Sequence, residues 1–278
     1  MDPNQEKFVI ESILAGGVKI PPMPGVMVEF MALERGQDVP LDKYSSLLNR
    51  DAALTGALFR VANSPVFGLG RVTNLNRALS ALGIKNTGAI VRSESMRRSL
   101  SDPRYMAFMS MLWNRLDRIA ALSVRILKVM HARYLPADLA FLLGLFHDVG
   151  LAVVCKRYES YARAFSNFDV WPDVPALDLA HQTSHAVVGQ MLARNWQLPP
   201  GVVQAVRYHH EAYGLDRHPD VVAKLILVLQ FAIHLHSQST GQDDQEWQEA
   251  WLPRMLAWFD LSPESLEEIG LESLDEEA

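Results

Sequence analysis

The stretch from Phe141 to Val154, FLLGLFHDVGLAVV, places an adjacent His147 and Asp148 inside an otherwise apolar segment. The pattern predicts an apolar helix that ends at this pair, followed by Gly150 and a second apolar run. A buried polar group without a partner costs roughly a few kcal/mol, so both side chains must find partners elsewhere in the chain. The identity of those partners decides whether this is a metal site or a remnant of one.

Apolar residues recur at helical spacing along the whole chain, and no segment alternates convincingly with the period of a strand. The sequence therefore predicts an all-α fold. Turn residues divide it into an N-terminal helix (1–19), a helical lobe (20–101), a second helical lobe (102–240), and C-terminal helices with a frayed acidic tail (241–278). We expect two lobes that share one extended core.

Within these segments, glycine and proline predict where individual helices end. Gly83 is placed to end a helix over 75–82, and another helix continues over 85–100. Further on, the periodicity predicts uninterrupted helices over 156–168 and 176–195.

Composition excludes several classes of protein. The hydrophobic fraction of 49% and charged fraction of 21% are typical of soluble globular domains. Cys155 is the only cysteine, so an intrachain disulfide is excluded, and its apolar surroundings predict an inert packing role. The N-terminal residues do not resemble a signal peptide, and we expect no apolar run to reach the roughly 18 residues that are needed to span a membrane. We therefore expect a cytoplasmic protein without a membrane partner.

Histidines form two further groups. His181 and His185 have the i, i+4 spacing that puts two imidazoles on one helix face, as a metal site requires. His209 and His210 precede Glu211 where the helix after Pro199 should end. Each histidine taken alone is also consistent with a core residue bonded to a backbone carbonyl, and this interpretation is favoured for any single histidine.

In the second half, a resemblance to the HD superfamily of metal-dependent phosphohydrolases rests on LWNRLDRIAALSVRILK, ADLAFLLGLFHDVGLAVV and SHAVVGQMLARNWQLPPGVVQAVRYHHE. In the first half, IPPMPGVMVEFMAL and LNRDAALTGALFRVANSPVFGLGRVTNLNRALSALGIK resemble its HDOD branch. The similarity covers Ile20 to Gln238. It implies an N-terminal helical lobe packed on an HD-like helical bundle, and a role in bacterial signalling as an output or partner-binding module.

The resemblance also implies where a catalytic relative keeps its metal ligands. The His-Asp doublet matches His147 and Asp148, but Arg115, or its neighbour Asn114 or Leu116, stands at the first histidine position and Gln230 stands at the last aspartate position. A fixed positive charge repels a divalent cation, and Arg115 is expected to pair with Asp148 instead. We therefore expect no metal, no other cofactor and no catalytic residue, but a polar network in the cleft made of Arg115, His147, Asp148 and Gln230.

The alternative is a residual metal site that holds iron, manganese or zinc. The HD-GYP branch, which hydrolyses cyclic dinucleotides, has a similar HHE segment, but here the continuation is AYGLDRHP and lacks the GYP signature. In this alternative His147 and Asp148 are the catalytic pair, and the candidate ligands are His147, Asp148, His185, His209 and His210.

The resemblance thus leads to one expected function and two competing ones. The expected function is a non-catalytic regulatory module that binds a protein partner or a small ligand in the cleft. The first competitor is a phosphohydrolase acting on a nucleotide or cyclic dinucleotide. The second is nucleic-acid binding by a basic helix over 85–104, but the net charge of −6 argues against it and a solvated helix surface is the favoured interpretation.

Overall fold

The structure, a computed structural model, describes residues 10–275 apart from 12, 14, 16, 18, 64–70, 167–169 and 243–245. The described residues form helices and turns without a strand, which confirms the predicted all-α class. They fall into two compact units, one over Pro21–Leu100 and one that combines the residues before it with those from Ser101 onward. The predicted N-terminal helix (1–19) lies largely outside the described residues.

The helices of the first unit are α1 (Gly25–Glu34), α2 (Leu41–Leu48), α3 (Ala52–Ala62) and α4 (Leu75–Leu100). The Asp51 carboxylate caps α3 by accepting from the backbone N–H of Ala53 and Leu54. Gly83 has φ +73° and ψ 160°, so α4 is interrupted where the sequence predicts one helix to end and the next to begin. The first unit therefore follows the boundaries that its capping residues indicate.

Two arginines on the basic surface of α4 pair with carboxylates. Arg92 contacts Glu34, and an Arg98 guanidinium nitrogen lies 2.5 Å from an Asp51 carboxylate oxygen. These pairs neutralise positive charge that a nucleic acid would need.

The helices of the second unit are α5 (Met106–Val129), α6 (Ala137–Phe146), α7 (Val149–Arg157), α8 (Glu159–Arg163), α9 (Val174–Ala180), α10 (His185–Asn195), α11 (Pro200–Tyr208), α12 (Asp220–Ser239), α13 (Leu252–Phe259) and α14 (Pro263–Asp275). A π-helical turn over Trp247–Trp251 leads into α13. The long helix α5 packs against α6, α12 and α14, while α10 packs against α7 and α11. This arrangement brings the ends of α6, α10 and α11 together.

Three predicted boundaries are wrong. The helix predicted over 156–168 breaks at Tyr158, whose extended backbone (φ −120°, ψ 101°) separates α7 from α8. The helix predicted over 176–195 breaks between α9 and α10, where Gln182 has φ +50° and Ser184 caps α10 through the backbone N–H of Val187. The tail is helical as far as Asp275, where fraying was predicted.

Two stretches, Ala137–Arg157 and Asp220–Ser239, are long and apolar enough to span a membrane, contrary to the expectation from the sequence. Their most apolar windows are 83% and 78% buried inside the protein. Such burial is typical of the central helices of a folded domain.

Candidate metal centre

The candidate ligands lie at helix ends within the second unit. His147 and Asp148 form the junction between α6 and α7, His185 is the first residue of α10, and His209 and His210 follow α11. One nitrogen or oxygen atom from each of Asp148, His185, His209 and His210 lies within 4.8 Å of the others. Four of the five candidate ligands therefore form one group, which we call the Asp148 cluster.

Close packing of α7 on α10 makes this approach possible. A Cβ atom added to Gly150 would lie 2.0 Å from the carbonyl oxygen of His185 and 2.8 Å from the backbone nitrogen of Gly189. Only glycine allows two backbones to meet this closely. Gly150 thus sets the distance between Asp148 at the start of α7 and His185 at the start of α10.

Hydrogen bonds on the outer side of the rings fix how three histidines face the cluster. The Nδ1 atoms of His147 and His209 lie 2.8 Å from Gly144 O and 2.7 Å from Val206 O. The Nδ1 atom of His185 lies 2.6 Å from a carboxylate oxygen of Asp178. Because carbonyl and carboxylate oxygens only accept, each Nδ1 must carry the proton, and each Nε2 of a neutral ring then offers a lone pair.

These three Nε2 atoms all face the Asp148 carboxylate. Those of His185 and His209 lie 3.3 Å from Oδ1, and that of His147 lies 3.4 Å from Oδ2. A charge-assisted N–H···O bond is about 2.7–2.9 Å long, so these contacts are too long to be strong hydrogen bonds. The three Nε2 atoms and the carboxylate oxygens therefore converge on one small region, where a bound metal ion would replace any Nε2 proton.

His210 closes the group on its less buried side. Its Nε2 lies 3.1 Å from the Nε2 of His185, and its Nδ1 is a buried atom with no hydrogen-bond partner among the described residues. The other three members are buried, whereas the His210 residue as a whole is half-buried. The cluster is thus least buried at His210.

The charge state of the cluster follows from its burial and from the interactions among its ionisable groups. Despite that burial, the surrounding histidines hold the pKa of Asp148 well below its usual value, so the group is a carboxylate. Burial lowers the pKa of His209 and His210, which keeps both rings neutral near pH 7. Burial also opposes protonation of His185, but Asp148 and Asp178 outweigh it and raise the pKa of this histidine to about 9.

The donor set fits a divalent transition metal. A tetrahedral site with metal–ligand distances of about 2.0–2.1 Å has ligand atoms roughly 3.3 Å apart. The separations from Asp148 to His185 and His209, 3.3 Å each, and from His185 to His210, 3.1 Å, are close to that spacing. Imidazole and carboxylate donors suit zinc, iron and manganese.

Gln230 and Arg115, the remaining residues of the predicted polar network, have different partners. The Gln230 side-chain amide donates to the backbone carbonyl of His209 over 2.5 Å, so it supports the backbone that carries this ligand. The buried guanidinium of Arg115 lies over the Trp171 ring, with Cζ 4.3 Å from the ring centroid. Pairing of Arg115 with Asp148 stays a prediction.

His181 is not part of the cluster. Its Nδ1 bonds to Leu177 O and its Nε2 to the Ser160 hydroxyl, each at 2.9 Å. The prediction that His181 and His185 share a helix face is wrong, because the chain turns between α9 and α10. Asp178, which the sequence analysis overlooked, bonds to His185 across that turn.

Known structures share this fold. A candidate metal-dependent phosphohydrolase from Shewanella amazonensis SB2B superposes with a TM-score of 0.70 at 18% identity, over 97% of this chain and 98% of that one. An HDOD domain protein from Geobacter sulfurreducens superposes with a TM-score of 0.67 at 20% identity, over 99% of this chain and 90% of that one. A candidate signal transduction protein from Marinobacter aquaeolei VT8 gives 0.71 at 18% identity, over 98% of this chain and 63% of that one.

Sequence comparison extends the similarity. A protein from Treponema pallidum (strain Nichols) is 27% identical over 220 residues, which are 77% of this chain and 41% of that protein. This chain therefore spans less than half the length of that relative. The sequence profile of the HDOD domain matches residues 20–212, well over half of the chain. By that match, the chain belongs to the HDOD domain family.

Proposed function

We propose that this chain is a regulatory signal-transduction module in which the Asp148 cluster binds one divalent transition-metal ion. In this proposal the module acts through a protein partner and does not turn over phosphoesters. The observation that carries the metal is the convergence of the Nε2 atoms of His185 and His209 on the buried Asp148 carboxylate, with each ring fixed from behind by an acceptor.

The positions of the donors support a regulatory use of the ion. Asp148 belongs to the α6–α7 junction, His185 to the start of α10, and His209 to the end of α11. A metal ion held by all three would link these junctions, and its binding free energy would stabilise this arrangement over looser ones. Occupancy of the cluster is therefore coupled to the packing of α7, α10 and α11.

Two features argue against turnover. The four-residue cluster contains one carboxylate, and the two further family ligand positions hold Arg115 and Gln230. The Gln230 amide nitrogen is used in a backbone hydrogen bond.

A metal-dependent phosphohydrolase is the second candidate. It is favoured by the metal-type donor set and by the half-buried His210, the least buried member of the cluster. The solved Shewanella amazonensis structure bears the name of a metal-dependent phosphohydrolase. When bound, a divalent ion lowers the pKa of a coordinated water and so supplies a nucleophile near neutral pH.

A phosphodiesterase assay separates these two candidates. Wild-type protein, His209→Ala and His181→Gln are each loaded with zinc, manganese or iron and incubated with bis(p-nitrophenyl) phosphate and with cyclic dinucleotides. His181→Gln is the matched control, because this histidine lies outside the cluster. We expect no turnover above the level of His209→Ala. Turnover by the wild type and His181→Gln that disappears in His209→Ala would overturn the non-catalytic proposal.

The regulatory part is tested by hydrogen exchange with and without metal. Added zinc should slow amide exchange at the ends of α6, α10 and α11 in the wild type, while His209→Ala should respond weakly. Equal exchange in both states of the wild type would contradict a conformational role for the ion.

A further inference from the structure

The carboxylate of Asp178 accepts hydrogen bonds from two residues of the second unit, Tyr161 and His185. One oxygen accepts the Tyr161 hydroxyl at 2.9 Å, and the other accepts the backbone N–H of His185 at 2.9 Å and its Nδ1–H at 2.6 Å. The residue lies on α9 and is only 8% exposed. A buried carboxylate with three donors is oriented firmly, because each bond would be lost if the side chain turned away.

Tyr161 holds Asp178 from the side opposite His185. Its ring is fully buried and stacks on Phe165 with centroids 6.1 Å apart. Burial and the neighbouring Asp178 carboxylate raise the pKa of Tyr161, so its hydroxyl remains a donor. Tyr161 and His185 therefore both donate to Asp178, and this chain of hydrogen bonds reaches the Asp148 cluster through His185.

This chain determines which nitrogen of His185 faces the cluster. With Nδ1–H directed at Asp178, the Nε2 atom lies 3.3 Å from Asp148 and 3.1 Å from the Nε2 of His210. His147 and His209 have backbone carbonyls in the equivalent role. His185 alone among these three has a carboxylate behind it, and a carboxylate partner raises the basicity of a ligand imidazole.

The bond to the backbone N–H of His185 adds a second constraint. His185 is the first residue of α10, and a carboxylate at a helix N-terminus is electrostatically favourable. Asp178 thus fixes the start of α10 as well as the ring, although the turn with Gln182 at positive φ lies between the two residues.

We propose that Asp178, itself held by Tyr161, is the positioning residue of the metal cluster: it keeps His185 in the Nδ1–H form with Nε2 turned toward the ion. This inference rests on the proposed metal binding. Neither residue contacts the other members of the cluster through the hydrogen bonds described, so both act through His185.

The test compares zinc affinity, measured by competition with a chromophoric chelator, in the wild type, Asp178→Asn, Tyr161→Phe and Asp173→Asn. Asp173→Asn is the matched control because Asp173 caps the same helix, α9, through the backbone N–H of Ala176, and asparagine caps equally well. Loss of a partner behind a ligand histidine typically weakens metal binding about 10- to 100-fold, which is the expectation for Asp178→Asn. Tyr161→Phe keeps the ring and should weaken binding several-fold, while Asp173→Asn should bind like the wild type.

Proton NMR of the zinc-loaded proteins supplies a readout that a merely structural role would not change. The His185 Nδ1–H proton should resonate far downfield in the wild type and in Asp173→Asn, and should move upfield in Asp178→Asn. Wild-type affinity and an unmoved resonance in folded Asp178→Asn would overturn the inference. If Asp178→Asn does not fold, unchanged affinity of Tyr161→Phe would overturn it. A wild type that binds no zinc would instead refute the proposed function, so the two failures are distinguishable.

Discussion

Replacement of Gly150 by alanine tests whether the α7–α10 contact builds the Asp148 cluster. The new Cβ would lie 2.0 Å from His185 O and 2.8 Å from Gly189 N, and both are backbone atoms that cannot turn aside. The two helices must therefore separate. Because His185 O belongs to a residue of the cluster, that separation moves His185 away from Asp148.

The expected change in the free energy of unfolding is a balance of two effects. Overpacking of a well-packed contact costs roughly 1–3 kcal/mol, and a clash between backbones belongs at the upper end of that range. Alanine in place of a helical glycine returns up to about 1 kcal/mol. The free energy of unfolding should therefore fall by about 2 kcal/mol in Gly150→Ala.

Gly201→Ala is the matched control. Gly201 is the second residue of α11, as Gly150 is of α7, but its new Cβ would meet only Val222 Cγ2 at an ordinary distance of 3.6 Å. This variant should keep or slightly raise the stability of the wild type.

Urea unfolding followed by tryptophan fluorescence measures both variants. All six tryptophans of the chain lie in the unit from Ser101 onward, so the signal reports the unit that holds the cluster. Zinc affinity is measured in parallel and should fall in Gly150→Ala alone. A Gly150→Ala protein with the stability and zinc affinity of Gly201→Ala would refute this reasoning.

Three further outcomes are expected. Burial raises the pKa of the Cys155 thiol, so iodoacetamide should not modify it until the protein unfolds, and rapid labelling of folded protein would contradict this packing. Burial, reinforced by the positive charge of Arg115, lowers the pKa of His236 from 6.5 to about 4. Neutral His236 therefore contributes roughly 3 kcal/mol to the free energy of unfolding above pH 6.5. This contribution should be lost as the pH falls toward 4. His236→Gln should lose less in urea unfolding across that range, and equal losses would contradict the assignment. The paired arginines of the helix over 85–104 predict no oligonucleotide binding by fluorescence anisotropy at low salt, and binding with a steep salt dependence would contradict this.

Local signals in the sequence were sufficient to predict the fold class and the helix end at His147 and Asp148. Both depend on periodicity and on residues with strong backbone preferences, such as Gly83, whose positive φ interrupts α4 where a helix end was predicted. The break before α10 was also signalled, because Ser184 is a good N-cap, but the apolar periodicity on either side outweighed it.

The parts that could not be predicted depend on contacts between distant segments. Asp178 reaches His185 across a turn, and the Tyr161 hydroxyl reaches Asp178 from another helix. No local pattern records either contact. The tightness of the Gly150 crossing is likewise a property of two helices, and one helix pattern carries no sign of it. The histidines could therefore be named from sequence as candidates, while the direction of each ring required the structure.

Metal content tests the central claim most directly. Wild type, His209→Ala and His181→Gln are purified without chelator, checked for folding by circular dichroism, and subjected to elemental analysis. The account predicts about one equivalent of zinc, iron or manganese per chain in the wild type and in His181→Gln, and little in His209→Ala. Well-folded wild type without metal that takes none up from added zinc, or His209→Ala with the wild-type content, would contradict it.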